Sequence, residues 1–257
     1  MKLQLVPARQ GWLWMRQGIQ VFWRQPIALS GLFFMFLGLM TLVSMVPLVG
    51  SLAALVLLPA CTAGLMIGTR EAAQGRFPKP RVLIAGLRAS SGQRRQMLIL
   101  GACYAVGVIV LMLVSTLADG GDFARIYLLG GRIDADVVEQ PAFQSALWIS
   151  MLLYVPLSAL FWHAPALVHW HNVPAAKSLF FSLMACLGNW KAMLIYAAAW
   201  AGLYTAIGLA LVIFGTLLGS AGAVGLGLLP AMLMLTAMFF NSAYFTFKDS
   251  FQNEVLA

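Results

Sequence analysis

Long uncharged apolar runs, separated by short charged segments, commit this chain to crossing a membrane. The runs cover residues 27–46, 47–69, 97–117, 143–162, 192–216 and 221–247, and none contains Asp, Glu, Lys, Arg or His. Each is close to or longer than the ~20 residues that carry an α-helix through hydrocarbon. The predicted fold is all-α: a polytopic membrane helical bundle forming a single integral membrane domain, residues 1–257, with six transmembrane helices. Residues 1–26 are read as an interfacial amphipathic helix and residues 118–142 as an external loop.

The charges fix which loops share a side. All but Arg125 and Arg132 of the 16 basic residues lie before the first run or in segments that follow even-numbered runs. The loop after the third run holds those two arginines against Asp119, Asp122, Asp134, Asp136 and Glu139. Basic residues flanking short loops stay cytoplasmic. Both termini are therefore expected in the cytoplasm, with the chain multi-pass in the bacterial inner (plasma) membrane.

Composition narrows the class further. A mean hydropathy of +0.88, with 61% hydrophobic and 9% charged residues, is far from the ~25% charged content of soluble domains. A formal charge of +8 and a pI near 9.8 would suit nucleic acid, but these charges sit beside membrane spans. There they serve topology and anionic headgroups, so anionic membrane lipids are the expected partners and nucleic acid is not. Cys61, Cys103 and Cys186 are isolated and form no CxxC pair, which supports neither a disulfide framework nor a zinc knuckle. The N-terminus lacks the short apolar region and small-residue site of a cleavable signal.

Ahead of the first run, ARQGWLWMRQGIQVFWRQ is amphipathic. At helical spacing Trp12, Met15, Ile19, Phe22 and Trp23 are expected on one arc, with Arg9, Arg16, Gln20 and Arg24 opposite. Tryptophan beside arginine suits the headgroup layer; a helix docked on the protein's own cytoplasmic face is the other reading. The unit recurs. WRQPIAL (Trp23–Leu29), GQRRQML (Gly92–Leu98) and GNWKAML (Gly188–Leu194) each lead from a surface segment into an odd-numbered run. Pro-Ala steps at Pro59, Pro165 and Pro230 then fall in the even-numbered regions, so three passes of surface helix, span and Pro-containing span account for the chain. The three prolines are candidate helix bends.

Two stripes of small residues, Ala60/Gly64/Gly68 and Ala198/Gly202/Ala206/Ala210, permit close helix approach. They serve either packing within the bundle or a seam with a second copy or another membrane protein. Bent helices can surround a cavity, yet the polar groups offered to line one, among them Ser44, Thr62, Ser150, Ser158 and Asn241, carry no charge. Ion pathways ordinarily use intramembrane ionisable residues, which lowers the standing of an ion-coupled transporter.

Chemistry-bearing motifs are scarce. His163, His169 and His171 have poor spacing for one helical face and no nearby Cys, Asp or Glu, so they read as an aromatic, weakly basic interfacial collar. No GxSxG, P-loop or HExxH occurs. The five loop carboxylates lack EF-hand spacing. No catalytic residue, cofactor site or metal site is assigned. The candidate ligand-binding residues are Arg9, Arg16, Arg24, Arg81, Arg88, Arg94 and Arg95, as contacts for lipid headgroups.

The stretches GWLWMRQGIQVFWRQP, LLPACTAGLMIGTREAAQGRFP and APALVHWHNVPAAKSLFFSLMACLGNW resemble the six-span inner-membrane proteins of proteobacteria in the uncharacterised YciC-like group. The resemblance implies a six-helix inner-membrane bundle and brings no reaction with it; the acidic external loop departs from that pattern. The expected function is a non-enzymatic accessory or scaffold role in the envelope. The alternative is a carrier or flippase for lipid or a neutral small solute.

Overall fold

The computed structural model describes residues 2–129, 135–217 and 221–252. Its elements run β1 (Lys2–Leu3), α1 (Gln10–Arg24), α2 (Pro26–Ser44), α3 (Gly50–Ala73), a 3-10 turn (Pro80–Ile84), α4 (Ala85–Arg88), α5 (Ser91–Asp119), α6 (Asp122–Leu129) and α7 (Ala135–Val138). Then follow α8 (Pro141–Phe161), α9 (Ala164–His171), α10 (Ala175–Gly188), α11 (Trp190–Leu217), α12 (Ala221–Ser250) and β2 (Phe251–Gln252). Among the described residues six stretches are long and apolar enough to cross a membrane: α2, α3, α5, α8 continued by α9, α11, and Gly227–Ser250 of α12. The chain is an all-α polytopic helical bundle. Its only described strands are the two-residue β1 and β2, paired antiparallel with Lys2 opposite Gln252.

The helices divide into two units, one of Met1–Phe36, Thr62–Leu83 and Met184–Ala257, the other of Leu37–Cys61 and Ile84–Leu183. In the first, α1 packs on α11 and α12 through Gly11, Trp14, Met15, Gly18, Val21 and Phe22. That is the i, i+3, i+4, i+7 stripe of a one-sided helix. Glycine is required at two crossings: a Cβ on Gly11 would strike the Ala192 carbonyl, and one on Gly18 would strike Ser242. Trp14 meets Tyr196 edge-on at 6.1 Å, and the Tyr196 hydroxyl lies 2.6 Å from the Ser242 hydroxyl. Asp249 accepts from Gln10 Nε2 at 2.6 Å and Trp14 Nε1 at 2.9 Å. Asn189 then ties the N-terminal segment in. Its Oδ1 accepts from the Val6 N–H at 2.9 Å, and its Nδ2 donates to the Gln4 carbonyl at 3.0 Å.

In the second unit α5 is the centre. It packs along α8, and Gly101 lets it approach the Val56 carbonyl of α3. Tyr104, Val108, Leu111 and Met112 of α5 form a core with Ala124, against which Phe123 and Leu128 of α6 also pack. Ser90 caps α5 and Gly120 ends it in the left-handed region, at φ +71°. The span α8 stops at Phe161 and the chain resumes helix at Ala164. Ser182 bridges the break: its hydroxyl accepts from the His163 N–H at 2.9 Å and donates to the Ala159 carbonyl at 2.8 Å. Asn172 closes α9 at φ +54°, its N–H bonded to the Leu167 carbonyl, with Pro174 just beyond. Helix cannot continue through that pair.

Several expectations are corrected. Trp12 and Trp23 face outward with the arginines, whereas Met15 and Phe22 lie in the docked face, because the buried stripe is centred on Trp14 and Gly18. The surface segment that runs into GQRRQML is no continuous helix. Pro80 opens a 3-10 turn, α4 stops at Arg88, and the Ser90 cap starts the span itself at Ser91. Pro59 and Pro230 lie inside α3 and α12, but Pro165 occupies the first turn of α9, where proline opens a helix without interrupting one. The interior proline of α8 is Pro156, which leaves the Leu152 carbonyl without its helical donor. Pro59 and Pro230 each stand tenth in their helix, whereas Pro165 falls in a first turn, so the three Pro-Ala steps do not share one position. The order surface segment, span, span does recur.

Candidate lipid-facing basic collar

Docking of α1 on its own bundle leaves a second, opposite face. Trp12 and Trp23 are 52% and 58% exposed, and eleven residues of α-helix bring them back within about 20° of each other. Arg16 lies about 40° from Trp12 and Arg9 about 60°, and Arg9, Arg16 and Arg24 are all exposed. The docked reading describes one face, and the headgroup reading is left to the other. One sector is buried in protein, and the other presents indole and guanidinium together, the pairing that suits a headgroup layer.

Arg81 is exposed on the 3-10 turn, held there by the burial of its neighbours Val82 and Leu83. Arg88 ends α4, and Arg94 and Arg95 stand exposed in the first turns of α5. Among the described residues none of these seven arginines has a carboxylate within ion-pair distance. The ion pair found is Arg125–Asp122, at 3.4 Å and open to solvent on both sides. Seven guanidiniums without acidic partners are available to phosphate, whose oxygens match the arginine fork.

The opposite face of early α5 is pinned. Gln93 Nε2 donates to the His169 carbonyl at 2.9 Å and Gln96 Oε1 accepts from the Ala175 N–H at 2.9 Å, while Met97 and Leu100 are buried. On the outer face Ser91, Arg94, Arg95, Leu98, Ile99 and Ala102 line a shallow groove of about 460 Å³.

The other sequence candidates separate from this collar. His163 is wholly buried at the α8–α9 break, so it is no part of an interfacial ring; His169 and His171 sit in the last turn of α9. Among the described residues no three His, Cys, Asp or Glu side chains come together as a metal site would need. Asp119 is spent on backbone, accepting from the Gly121 and Phe123 N–H groups at 2.8 and 2.7 Å to cap α6. Asp122 pairs with Arg125, and Arg132 and Asp134 lie outside the described residues. Burial pushes the Cys186 thiol up to about 12, as for a small core residue. The stripe Ala60, Gly64 and Gly68 is buried, with Gly64 against Leu83 and Gly68 against Leu32; Ala198, Gly202, Ala206 and Ala210 face outward from α11. Sequence reasoning missed Asn189 and Asp249, single polar residues whose tertiary partners leave no local pattern.

No family model matches the chain, and no solved structure matches it. It is similar to a protein of Burkholderia thailandensis named "Probable inner membrane protein", with 36% identity over 254 residues that cover 98% of this chain and 94% of that one. The aligned region covers nearly the whole of both chains. This chain therefore belongs to the family of that probable inner membrane protein.

Proposed function

We propose that this protein is a non-enzymatic accessory or scaffold component of the bacterial envelope, a six-span member of the YciC-like kind. Its termini lie in the cytoplasm and its basic collar rests on anionic headgroups. The observation that carries this reading is the double-faced α1, which grips α11 and α12 with one side and turns Trp12, Trp23, Arg9 and Arg16 outward with the other. Polar side chains in the spans support a structural role. Tyr196 with Ser242, Thr69 with Asn241 and Tyr204 with Thr236 meet at 2.6, 3.0 and 3.0 Å, each pair joining two helices. Such pairs act as packing bonds between helices in lipid.

Fluorescence quenching by brominated lipid tests the collar. In phosphatidylglycerol vesicles, bromines placed just below the headgroups should quench the wild type more than a Trp12→Phe/Trp23→Phe variant of equal helicity. Raising salt should weaken the interaction of the arginines with the surface as the Debye length falls from ~10 Å at 0.1 M to ~3 Å at 1 M. Identical quenching in both proteins removes α1 from the interface. Translocation of a lipid or neutral solute by reconstituted protein, above the rate of empty vesicles, would support the carrier reading instead.

A further inference from the structure

We propose that the groove on the outer face of α5 is a specific site for one anionic diacyl phospholipid. Its phosphate is held by Arg94, Arg95 and Ser91, and an acyl chain lies on Leu98, Ile99 and Ala102. This rests on the collar reading and goes beyond it, from a diffuse basic surface to a site with one occupant.

The lining residues follow the spacing i, i+3, i+4, i+7, i+8, i+11, a single unbroken stripe along one helix. It runs about 16 Å at 1.5 Å per residue. Polar and cationic groups occupy its first turns and apolar ones everything beyond. A phospholipid inserted in a leaflet has the same order: phosphate at the surface, hydrocarbon beneath. The groove is shallow and open, so an acyl chain would lie along the helix face and not inside a cleft. Leu98 and Ile99 are 41% and 40% exposed, in a helix read as a membrane span, so the apolar wall is offered to lipid.

Two further features distinguish this place from the rest of the collar. Arg94 and Arg95 are adjacent in the first turns of α5 and without acidic partners among the described residues, so neither charge is spent within the protein. The reverse face of the helix is fixed by Gln93, Gln96, Met97 and Leu100, so the groove is held in orientation before any lipid arrives, which lowers the cost of binding. Arg9 and Arg16 on α1 share a surface with indoles.

Native mass spectrometry of the full chain in neutral detergent, titrated with phosphatidylglycerol or phosphatidylcholine, tests the proposal. Arg94→Gln/Arg95→Gln should lower phosphatidylglycerol retention about thirtyfold, two surface charges being lost at about 1 kcal/mol each. Arg70, Arg76, Lys79, Arg81 and Arg88 remain to hold the orientation of that segment. Ala102→Trp, at an exposed position, should lower retention through the chain wall with every charge kept. Arg9→Gln/Arg16→Gln should change it little, and excess inorganic phosphate should not displace the lipid. Equal losses from both arginine pairs, with Ala102→Trp silent, would overturn the groove and leave the collar standing. Displacement by phosphate alone would also overturn it, as a headgroup-only contact. No preference for phosphatidylglycerol in the wild type would overturn the groove and the collar together.

Discussion

Gly11 and Gly202 look alike in the sequence, each a glycine within a helix, and the structure gives them opposite meanings. A Cβ on Gly11 meets the Ala192 carbonyl and lies 2.7 Å from the Tyr196 nitrogen, both backbone atoms, whereas one on Gly202 meets nothing within 4 Å. Gly→Ala gains about 1 kcal/mol of helix propensity in water, but overpacking costs about 1–3 kcal/mol, and backbone atoms yield least. Gly11→Ala should therefore lower the thermal midpoint in detergent, and Gly202→Ala should leave it unchanged or raise it. A Gly11→Ala protein as stable as wild type would show that α1 does not press on α11. The same limit governs what was legible at this scale. Arg9, Arg16 and Arg24 could be named as surface groups from their spacing alone. Assigning Trp12 and Trp23 to the arginine side needed the knowledge that Gly11 and Gly18, mute in a hydrophobic pattern, are the points of closest approach.

Among elements, the spans were legible because one property, the absence of charge over ~20 residues, determines them. Their ends were not. The helix α5 starts six residues before the apolar run at 97, since Ser90 accepts from the Gln93 N–H and a cap overrides hydropathy. The split of α8 from α9 was likewise hidden, because Ser182, which bridges it, belongs to a different helix. The external loop shows the reverse case, where a local signal was available and read otherwise. Asp119 followed by two glycines is a turn-and-cap signature, and the carboxylate binds two backbone N–H groups to start α6. Asp119→Ala should cost about 1 kcal/mol locally. Faster amide exchange confined to Gly121–Arg125, with α5 protection intact, is the expected result; unaltered exchange there would deny the cap.

Across the whole molecule, the number of spans and the orientation are separate matters. Lys2 pairs with Gln252 and Leu3 with Phe251, so the two ends of the chain lie on one side, as an even number of crossings requires. Which side that is follows from charge. Every basic residue except Arg125 and Arg132 belongs to the side of the termini, and lysine and arginine in short flanking segments are retained in the cytoplasm. On that rule the termini are expected in the cytoplasm and the acidic loop with Asp122, Asp136 and Glu139 in the periplasm. Single cysteines introduced at Gly75, Lys177 and Glu139, in a chain with Cys61, Cys103 and Cys186 replaced by Ala, separate the possibilities. With a membrane-impermeant thiol reagent, cells with a permeabilised outer membrane should label at Glu139 alone. Gly75 and Lys177 should label only after the inner membrane is opened. Labelling at Lys177 before that step would invert the orientation. It would also place Arg94 and Arg95 on the outer leaflet, away from the anionic surface that the collar is proposed to meet.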